Sequence, residues 1–238
     1  MTIYMILLTA LLPIAILLFY IYRKDKNSPE PVKAIAKAFL LGILSIPLSF
    51  CLSVPFGLLG LYTGEATNFM ESVRLSFFGA AIPEEVAKFF ILWLVLRKNQ
   101  YFDEKMDGIV YAVCVSLGFA AFENIMYLFT NADNFVTVGI LRALFSVPGH
   151  FCFGILMGYY YSLAKFYPQE SNKNKILILA APILAHGAYD SILFIIDVTP
   201  VLSGVLLIAF CVICFKMWKY ASKRIQEHLN RDLAGLSE

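Results

Sequence analysis

Long runs of apolar residues dominate the chain and are separated by short polar segments. An α-helix needs about 20 predominantly apolar residues to cross the roughly 30 Å hydrocarbon layer of a bilayer. Seven runs approach that length, which predicts an all-α polytopic membrane bundle of about seven transmembrane helices. The predicted spans, numbered 1 to 7, are Ile3–Tyr22, Ala38–Leu61, Leu75–Leu96, Gly108–Thr130, Val136–Leu163, Ile176–Ile196 and Val201–Trp218.

The amino-acid composition agrees with a membrane protein. Of the 238 residues, 60% are hydrophobic and 15% are charged, whereas soluble domains average about 45–50% apolar and about 25% charged residues. This excess of apolar residues is more than a soluble core absorbs. We therefore expect a multi-pass protein of the cell membrane that contacts the lipid bilayer and has no nucleic-acid partner.

The positions of the basic residues predict the orientation. Most of the 19 lysine and arginine residues lie in the segments that follow spans 1, 3, 5 and 7, whereas the alternate segments contain only Arg74. Basic residues favour the cytoplasmic side of a membrane. The N-terminus is therefore predicted outside and the C-terminus inside, with a cytoplasmic tail over residues 216–238. Since we find no internal repeat and no low-complexity linker, residues 1–238 are interpreted as one domain.

Ionisable residues interrupt four of the apolar spans. They form four motifs, which are Glu84-Glu85-x-x-Lys88, Glu123-Asn124-x-x-Tyr127, His150 and His186-x-x-x-Asp190. A charge at membrane depth is costly, so such residues usually face a protein interior or a water-filled cavity and have a function. Counted at 1.5 Å per residue from the outer ends of their spans, the four motifs form one layer near the centre that leans outward. We therefore expect them to form one site.

The spacing within each motif predicts local pairs. Residues four apart on a helix are neighbours, so Lys88 is expected to pair with Glu84 and the Tyr127 hydroxyl to bind the Glu123 carboxylate. His186 and Asp190 are also one turn apart. A carboxylate bound to one ring nitrogen fixes the tautomer of an imidazole and raises the basicity of its other nitrogen.

Acids, an amine and imidazoles at one depth suit proton transfer, which favours a membrane-embedded hydrolase. We expect Glu84 to act as general base on a water, and Glu85 or Glu123 to hold or share the proton, since carboxylates crowded together in a low-dielectric site do not ionise equally. His150 and His186 would orient the water or stabilise the oxyanion. The predicted supporting residues are Lys88, Asn124, Tyr127 and Asp190.

A metal-dependent mechanism remains open. Two histidines and a glutamate can bind zinc and leave one position for water, and the set here would be His150, His186 and either Glu84 or Glu123. The sequence contains no His-Glu-x-x-His helix. Because the acids outnumber the imidazoles, a mechanism that requires no cofactor is preferred and zinc is the alternative.

Two other classes of function also place ionisable groups in a membrane. A proton-coupled transporter does so, but it commonly shows inverted repeats and broken helices, which we do not find. A non-enzymatic scaffold predicts that Glu84→Gln leaves function intact. Serine and cysteine catalysis is not favoured. Ser146, Ser162 and Ser191 have no convincing base at helical spacing, and Cys152 lies on a different helix face from His150.

The four motifs resemble those of the PrsW family of polytopic membrane proteases. The matching residues run from about 29 to 190 in the family's order and are Pro29-Glu30-Pro31, Glu84-Glu85-x-x-Lys88, Asp107-Gly108, Gly118-Phe119-Ala120-x-x-Glu123-Asn124-x-x-Tyr127, His150 and His186-x-x-x-Asp190. The resemblance implies a site-1 protease that cuts a single-pass, membrane-anchored anti-sigma factor on its extracytoplasmic side. A second protease would then act and a stress-responsive sigma factor would be released. The family is also distantly similar to the CAAX prenyl proteases.

Overall fold

The computed structural model describes residues 2–235, and these residues form ten α-helices with short connections. No strand occurs among these residues, which confirms the all-α prediction. The helices are α1 Thr2–Lys24, α2 Val32–Ile43, α3 Ser45–Leu58, α4 Phe69–Arg74, α5 Ile82–Leu96, α6 Lys105–Thr130, α7 Phe135–Leu141, α8 Val147–Phe166, α9 Ser171–Val198 and α10 Ser203–Gly235. Two π-helical segments, Leu75–Ala81 and Arg142–Ser146, join α4 to α5 and α7 to α8.

Within the described part of the chain, six helical segments are long and apolar enough to cross a membrane. They are Ile3–Lys24, Val32–Leu58, Lys105–Thr130, Ala132–Phe166, Pro168–Val198 and Pro200–Ala234. The run over residues 69–96 is also helical throughout, but it contains Glu84, Glu85 and Lys88. The chain is therefore a multi-pass membrane protein. The predicted orientation and single domain stay predictions.

Helix α6 forms the centre of the bundle. It is buried along most of its length, and α1, α2, α5 and α8 pack around it. The outer helices instead expose large apolar side chains, for example Phe19 on α1 and Ile208 on α10. In water such a surface would be unstable, whereas in a bilayer it faces lipid. The core of the protein thus lies on α6, and the charged motifs lie around it.

Two glycines allow neighbouring helices to approach α6 closely. A Cβ atom at Gly118 would lie 2.1 Å from the carbonyl oxygen of Phe39 on α2, and one at Gly158 on α8 would lie 2.3 Å from that of Gly108. Neither distance is sterically allowed, so both positions require glycine. Small residues commonly allow membrane helices to pack in this way.

The second predicted span is shifted relative to the observed helices. The prediction was Ala38–Leu61, whereas α2 begins at Val32 directly after Pro31, and α3 ends at Leu58. Gly60 ends the run because its φ of 67° lies in the left-handed region. The Leu61 amide then donates to the Phe56 carbonyl at 3.0 Å, which closes a Schellman motif.

The last helix continues well beyond the predicted span 7. Helix α10 runs unbroken to Gly235 and so includes most of the predicted tail 216–238, of which residues 236–238 lie outside the described part. Its C-terminal part packs back on the bundle, because Asp232 accepts from the backbone amides of Lys105 and Met106 at 3.0 and 2.9 Å. These contacts bind α10 to the first turn of α6.

Candidate active site

The two π-helical segments directly precede the residues of the predicted site. Each is followed by a proline at the start of an α-helix, Pro83 before Glu84 on α5 and Pro148 before His150 on α8. Proline lacks an amide hydrogen and its ring clashes with the carbonyl four residues earlier. The helix widens to relieve this clash, and π-helical turns are frequent at functional sites. The widening sets the direction in which the following acidic and imidazole side chains point.

The Lys88 ammonium lies at the centre of the site. Its Nζ atom is 3.2 Å from Glu84 Oε2, 2.8 Å from Glu85 Oε1 and 3.3 Å from His150 Nδ1. An ammonium has three hydrogens, so each of these acceptors receives one. Lys88 is 1% exposed and also lies over the Phe119 ring at 4.1 Å. One buried cation thus joins α5 to α8.

His186 bridges two carboxylates. Its Nδ1 atom is 2.9 Å from Glu85 Oε1 and its Nε2 atom is 3.2 Å from Asp190 Oδ2. The ring stacks on Phe153 with centroids 4.6 Å apart, which fixes its plane. Glu84 Oε2 lies 4.0 Å from the same Nε2 atom. The predicted pairing of His186 with Asp190 is present, and Glu85 provides a second partner.

Glu123 is held from two sides. Arg142 Nη2 donates to Glu123 Oε2 at 2.6 Å, and His150 Nε2 lies 3.0 Å from the same oxygen. Arg142 Nε also donates to Asn124 Oδ1 at 2.6 Å, while Asn124 Nδ2 donates to the Ala10 carbonyl at 3.1 Å. The amide of Asn124 therefore fixes the arginine, and the arginine fixes Glu123.

With the four carboxylates of the site taken as ionised, the contacts assign the protons of the two histidines. His150 Nδ1 accepts from Lys88, so its proton is on Nε2 and is donated to Glu123. His186 faces carboxylates with both nitrogens, and because a carboxylate only accepts, this ring is the doubly protonated imidazolium. On this assignment His150 is neutral and His186 is cationic.

The site then contains one more negative than positive charge. Its four carboxylates, those of Glu84, Glu85, Glu123 and Asp190, face the three cations Lys88, Arg142 and His186. Uncompensated charge is costly at membrane depth. Uptake of one proton would neutralise the site, so this arrangement favours a group that accepts a proton from water.

The four motifs meet, as the sequence predicted, but one local pair differs. Tyr127 was expected to bind Glu123 through its hydroxyl, and no such hydrogen bond occurs within residues 3–234. The Tyr127 ring instead lies against the Arg142 guanidinium, with 4.1 Å from Cζ to the ring centroid. Arg142 occupies the side of Glu123 that the tyrosine was predicted to fill. The predicted hydrogen bond from Tyr127 to Glu123 was therefore wrong.

Three residues of the site were absent from the sequence prediction. They are Arg142, which holds Glu123, and the rings of Phe119 and Phe153, which contact His150 and His186. Arg142 gave a detectable signal, because it is the only lysine or arginine within the fifth predicted span. Phe119 belongs to the motif Gly118-Phe119-Ala120, whereas Phe153 gave no signal because apolar residues fill every span.

The atoms suited to a metal ion differ from the predicted set. Glu84, Glu85 and His150 each offer one ligand atom, and these atoms lie within 4.8 Å of one another. The prediction combined both histidines with one glutamate, but both nitrogens of His186 face carboxylates. Lys88 Nζ already lies among the three atoms that would bind an ion. A metal and the ammonium do not fit there together, so this arrangement does not suit a metal unless Lys88 moves.

Comparison with known proteins identifies the family. Residues 30–217 match the family described as "PrsW family intramembrane metalloprotease". The chain is 36% identical to Protease PrsW of Clostridioides difficile over 229 residues, which cover 94% of this chain and 91% of that protein. It is 40% identical to Protease PrsW of Oceanobacillus iheyensis over 79% of this chain and 82% of that protein, and 37% identical to that of Bacillus subtilis over 74% and 77%.

No solved structure matches the chain. The sequence comparisons nevertheless confirm the resemblance that the four motifs indicated, and they extend it over most of the chain. Together with the membrane-spanning helices, they show that the chain belongs to the PrsW family of intramembrane proteases and is a membrane-embedded peptidase.

Proposed function

We propose that this protein cuts a membrane-anchored anti-sigma factor at site 1, on its extracytoplasmic side, by means of a water molecule activated by Glu84. The observation that supports this chemistry best is the position of Glu84 beside a fixed ammonium and an imidazolium, within a site that is one proton short of neutrality. The cleavage would lead to release of a stress-responsive sigma factor.

Glu84 suits the role of general base better than Glu85 does. Glu85 is fully buried, and its Oε1 atom is bound by both Lys88 and His186. The Glu84 side chain is 15% exposed, and its Oε2 atom lies 3.2 Å from Lys88 Nζ and 4.0 Å from His186 Nε2. Water can therefore reach Glu84, and Lys88 offers its carboxylate a positive partner. Glu85 fixes the position of both cations.

In the proposed reaction Glu84 takes a proton from water, and the water oxygen attacks the carbonyl carbon of the scissile peptide. The His186 imidazolium lies 4.0 Å from Glu84. Both of its nitrogens are bound to carboxylates, so it stabilises the negative charge on the carbonyl oxygen through its own positive charge. Glu84 then passes its proton to the leaving amine, which restores the carboxylate. Asp190 orients His186 through its 3.2 Å contact.

Glu123 and the residues bound to it hold Lys88 and the carboxylates around it in place. Glu123 receives hydrogen bonds from Arg142 and His150, and His150 in turn accepts from Lys88. The Glu123 side chain is 20% exposed, so water reaches it and it is the alternative holder of the proton. Asn124 supports Glu123 indirectly, by accepting a hydrogen bond from Arg142.

A metal is part of the family description, and the donor set of two carboxylates and one imidazole is of a type that binds zinc. If Lys88 moved aside, Glu84, Glu85 and His150 would hold the ion, which would polarise a water or the scissile carbonyl. With Lys88 in place the ammonium supplies the positive charge instead. The side chains alone therefore provide the chemistry of the proposed reaction.

Metal analysis tests this part of the proposal. Fully active purified protein is expected to contain far less than one zinc per chain, and to keep its activity with phenanthroline, a chelator that binds zinc tightly and magnesium weakly. Protein that gains activity in proportion to added zinc, up to one ion per chain, would contradict the metal-free reaction.

The anti-sigma factor assignment rests on the family resemblance. Relatives at 36–40% identity bear the name Protease PrsW, and the predicted orientation places the outward-leaning catalytic layer on the extracytoplasmic side. A single-pass substrate would meet this layer from the membrane.

Mapping new protein termini in cells tests the substrate. Membranes from cells that express the wild-type chain or Glu84→Gln at matched levels are compared, at rest and under envelope stress. We expect a juxtamembrane fragment of a single-pass anti-sigma factor with wild type only. Identical maps under both conditions would contradict the proposal and would favour proton-coupled transport. A wild-type fragment from an unrelated protein would retain the protease and exclude the anti-sigma factor.

A further inference from the structure

A second group of acids is buried at the opposite end of α6 from the catalytic residues. Asp25 follows α1, Glu30 precedes α2, and Glu104 and Asp107 begin α6. Asp25, Glu30 and Asp107 are between 1% and 4% exposed. Asp107 and Glu123 are separated by about 24 Å along α6, so this group is distinct from the active site.

Three of these carboxylates converge on one point. Oxygen atoms of Asp25, Glu104 and Asp107 lie within 4.8 Å of one another. Calcium–oxygen bonds are about 2.3–2.6 Å and magnesium–oxygen bonds about 2.0–2.1 Å, so ligands on opposite sides of one ion lie about 4–5 Å apart. The three oxygens are thus spaced as ligands of a single divalent cation.

No basic side chain among the described residues pairs directly with this group. Within residues 3–234, no lysine, arginine or histidine forms an ion pair with Asp25, Glu30, Glu104 or Asp107. The nearby Lys105 ammonium instead pairs with Asp232 at 3.2 Å. At the active site, by contrast, an ammonium lies among the three converging atoms.

Asp25 shows separately that a partner is missing. It is 2% exposed, and its Oδ2 atom has no hydrogen-bond partner. A buried oxygen without a partner is costly and requires an explanation such as an ion. The carboxylates of Glu30 and Glu104 also lie close enough to repel that of Asp25. A bound cation would remove both the repulsion and the unsatisfied oxygen.

We propose that Asp25, Glu104 and Asp107 form a binding site for one hard divalent cation of the magnesium, manganese or calcium class, with Glu30 adding negative charge behind them. The donors are all carboxylate oxygens, which these ions prefer and which softer metals do not select. The ion would fasten the connection between α1 and α2 to the first turn of α6.

Manganese binding tests the site directly. The purified full-length chain is freed of metal and titrated with Mn²⁺, whose free form is measured by electron paramagnetic resonance. We expect one Mn²⁺ per chain, displaced by Mg²⁺ or Ca²⁺. The double variant Asp25→Asn/Glu104→Gln should bind it more than about tenfold more weakly, since even outer partners of metal sites contribute about 10–100-fold in affinity. Asp133→Asn, which changes an exposed acid in the connection between α6 and α7, should bind as wild type does.

Thermal unfolding provides a second readout that does not depend on proteolysis. Without divalent cations Asp25→Asn should melt above wild type, because the substitution removes repulsion. The wild-type midpoint should then rise with Mg²⁺ and overtake the variant, since a ligand that binds only the folded state stabilises it. A fixed order of the two midpoints at all concentrations, or equal Mn²⁺ binding by wild type and the double variant, would overturn the proposal. Neither outcome bears on the proposed peptidase reaction.

Discussion

Replacing Glu84 with glutamine is expected to lower kcat by about 10²–10⁴-fold, the usual contribution of a positioned general base. Glutamine keeps the shape of the side chain but cannot take a proton from water. The site also loses its excess negative charge, so the drive to accept a proton disappears. KM should change little, because the substitution leaves the walls of the site unaltered. Single-turnover cleavage of the mapped substrate by purified protein measures both effects.

The matched control is Glu65→Gln, an isosteric change at an exposed acid in the loop between α3 and α4. It should retain wild-type kcat, and both variants should unfold at close to the wild-type denaturant concentration. If Glu84→Gln keeps more than about a tenth of kcat while Glu85→Gln loses it, the base is Glu85. If both variants keep wild-type kcat, the carboxylates do not activate the water.

The convergence of the four motifs could be predicted because it depends on the cost of a charge in the membrane and on the constant rise of an α-helix. Charge at membrane depth is costly enough to exclude lipid-facing positions for Glu84 or His186. The constant helical rise then gives each residue a depth, and residues at one depth on neighbouring helices meet. The pairs Glu84–Lys88 and His186–Asp190 followed from helical spacing within a single element.

The contacts around Glu123 could not be predicted in the same way. The spans are apolar on every side, so the sequence pattern does not fix the rotation of each helix. The π-helical segment Arg142–Ser146 also breaks the regular spacing, and Arg142 therefore meets Glu123 in a way that spacing does not show. Tyr127 is turned to a half-exposed position beside Arg142. The three atoms that approach Lys88 come from α5 and α8, so their geometry depends on tertiary packing.

Removal of the Lys88 charge is expected to be the most destabilising single change in the site. Lys88→Met keeps the unbranched apolar stem but leaves Glu84 and Glu85 buried beside each other without their shared cation. Breaking a buried ion pair by removing one partner costs about 3–5 kcal/mol. The free energy of unfolding in mixed micelles should fall by that amount, whereas the control Lys173→Met at an exposed position should change little.

A second substitution separates the charge from the packing of the lysine stem. Glu85→Gln removes the carboxylate nearest to Lys88 Nζ, at 2.8 Å, and should therefore recover part of the loss when it is combined with Lys88→Met. The two changes should deviate from additivity by about 0.5–3 kcal/mol, the range for residues in one network. If the losses simply add, Lys88 stabilises the fold through packing alone. A deviation in the expected direction would mean that the ammonium stabilises the paired glutamates, and that the active site holds two adjacent carboxylates in the membrane because Lys88 lies between them.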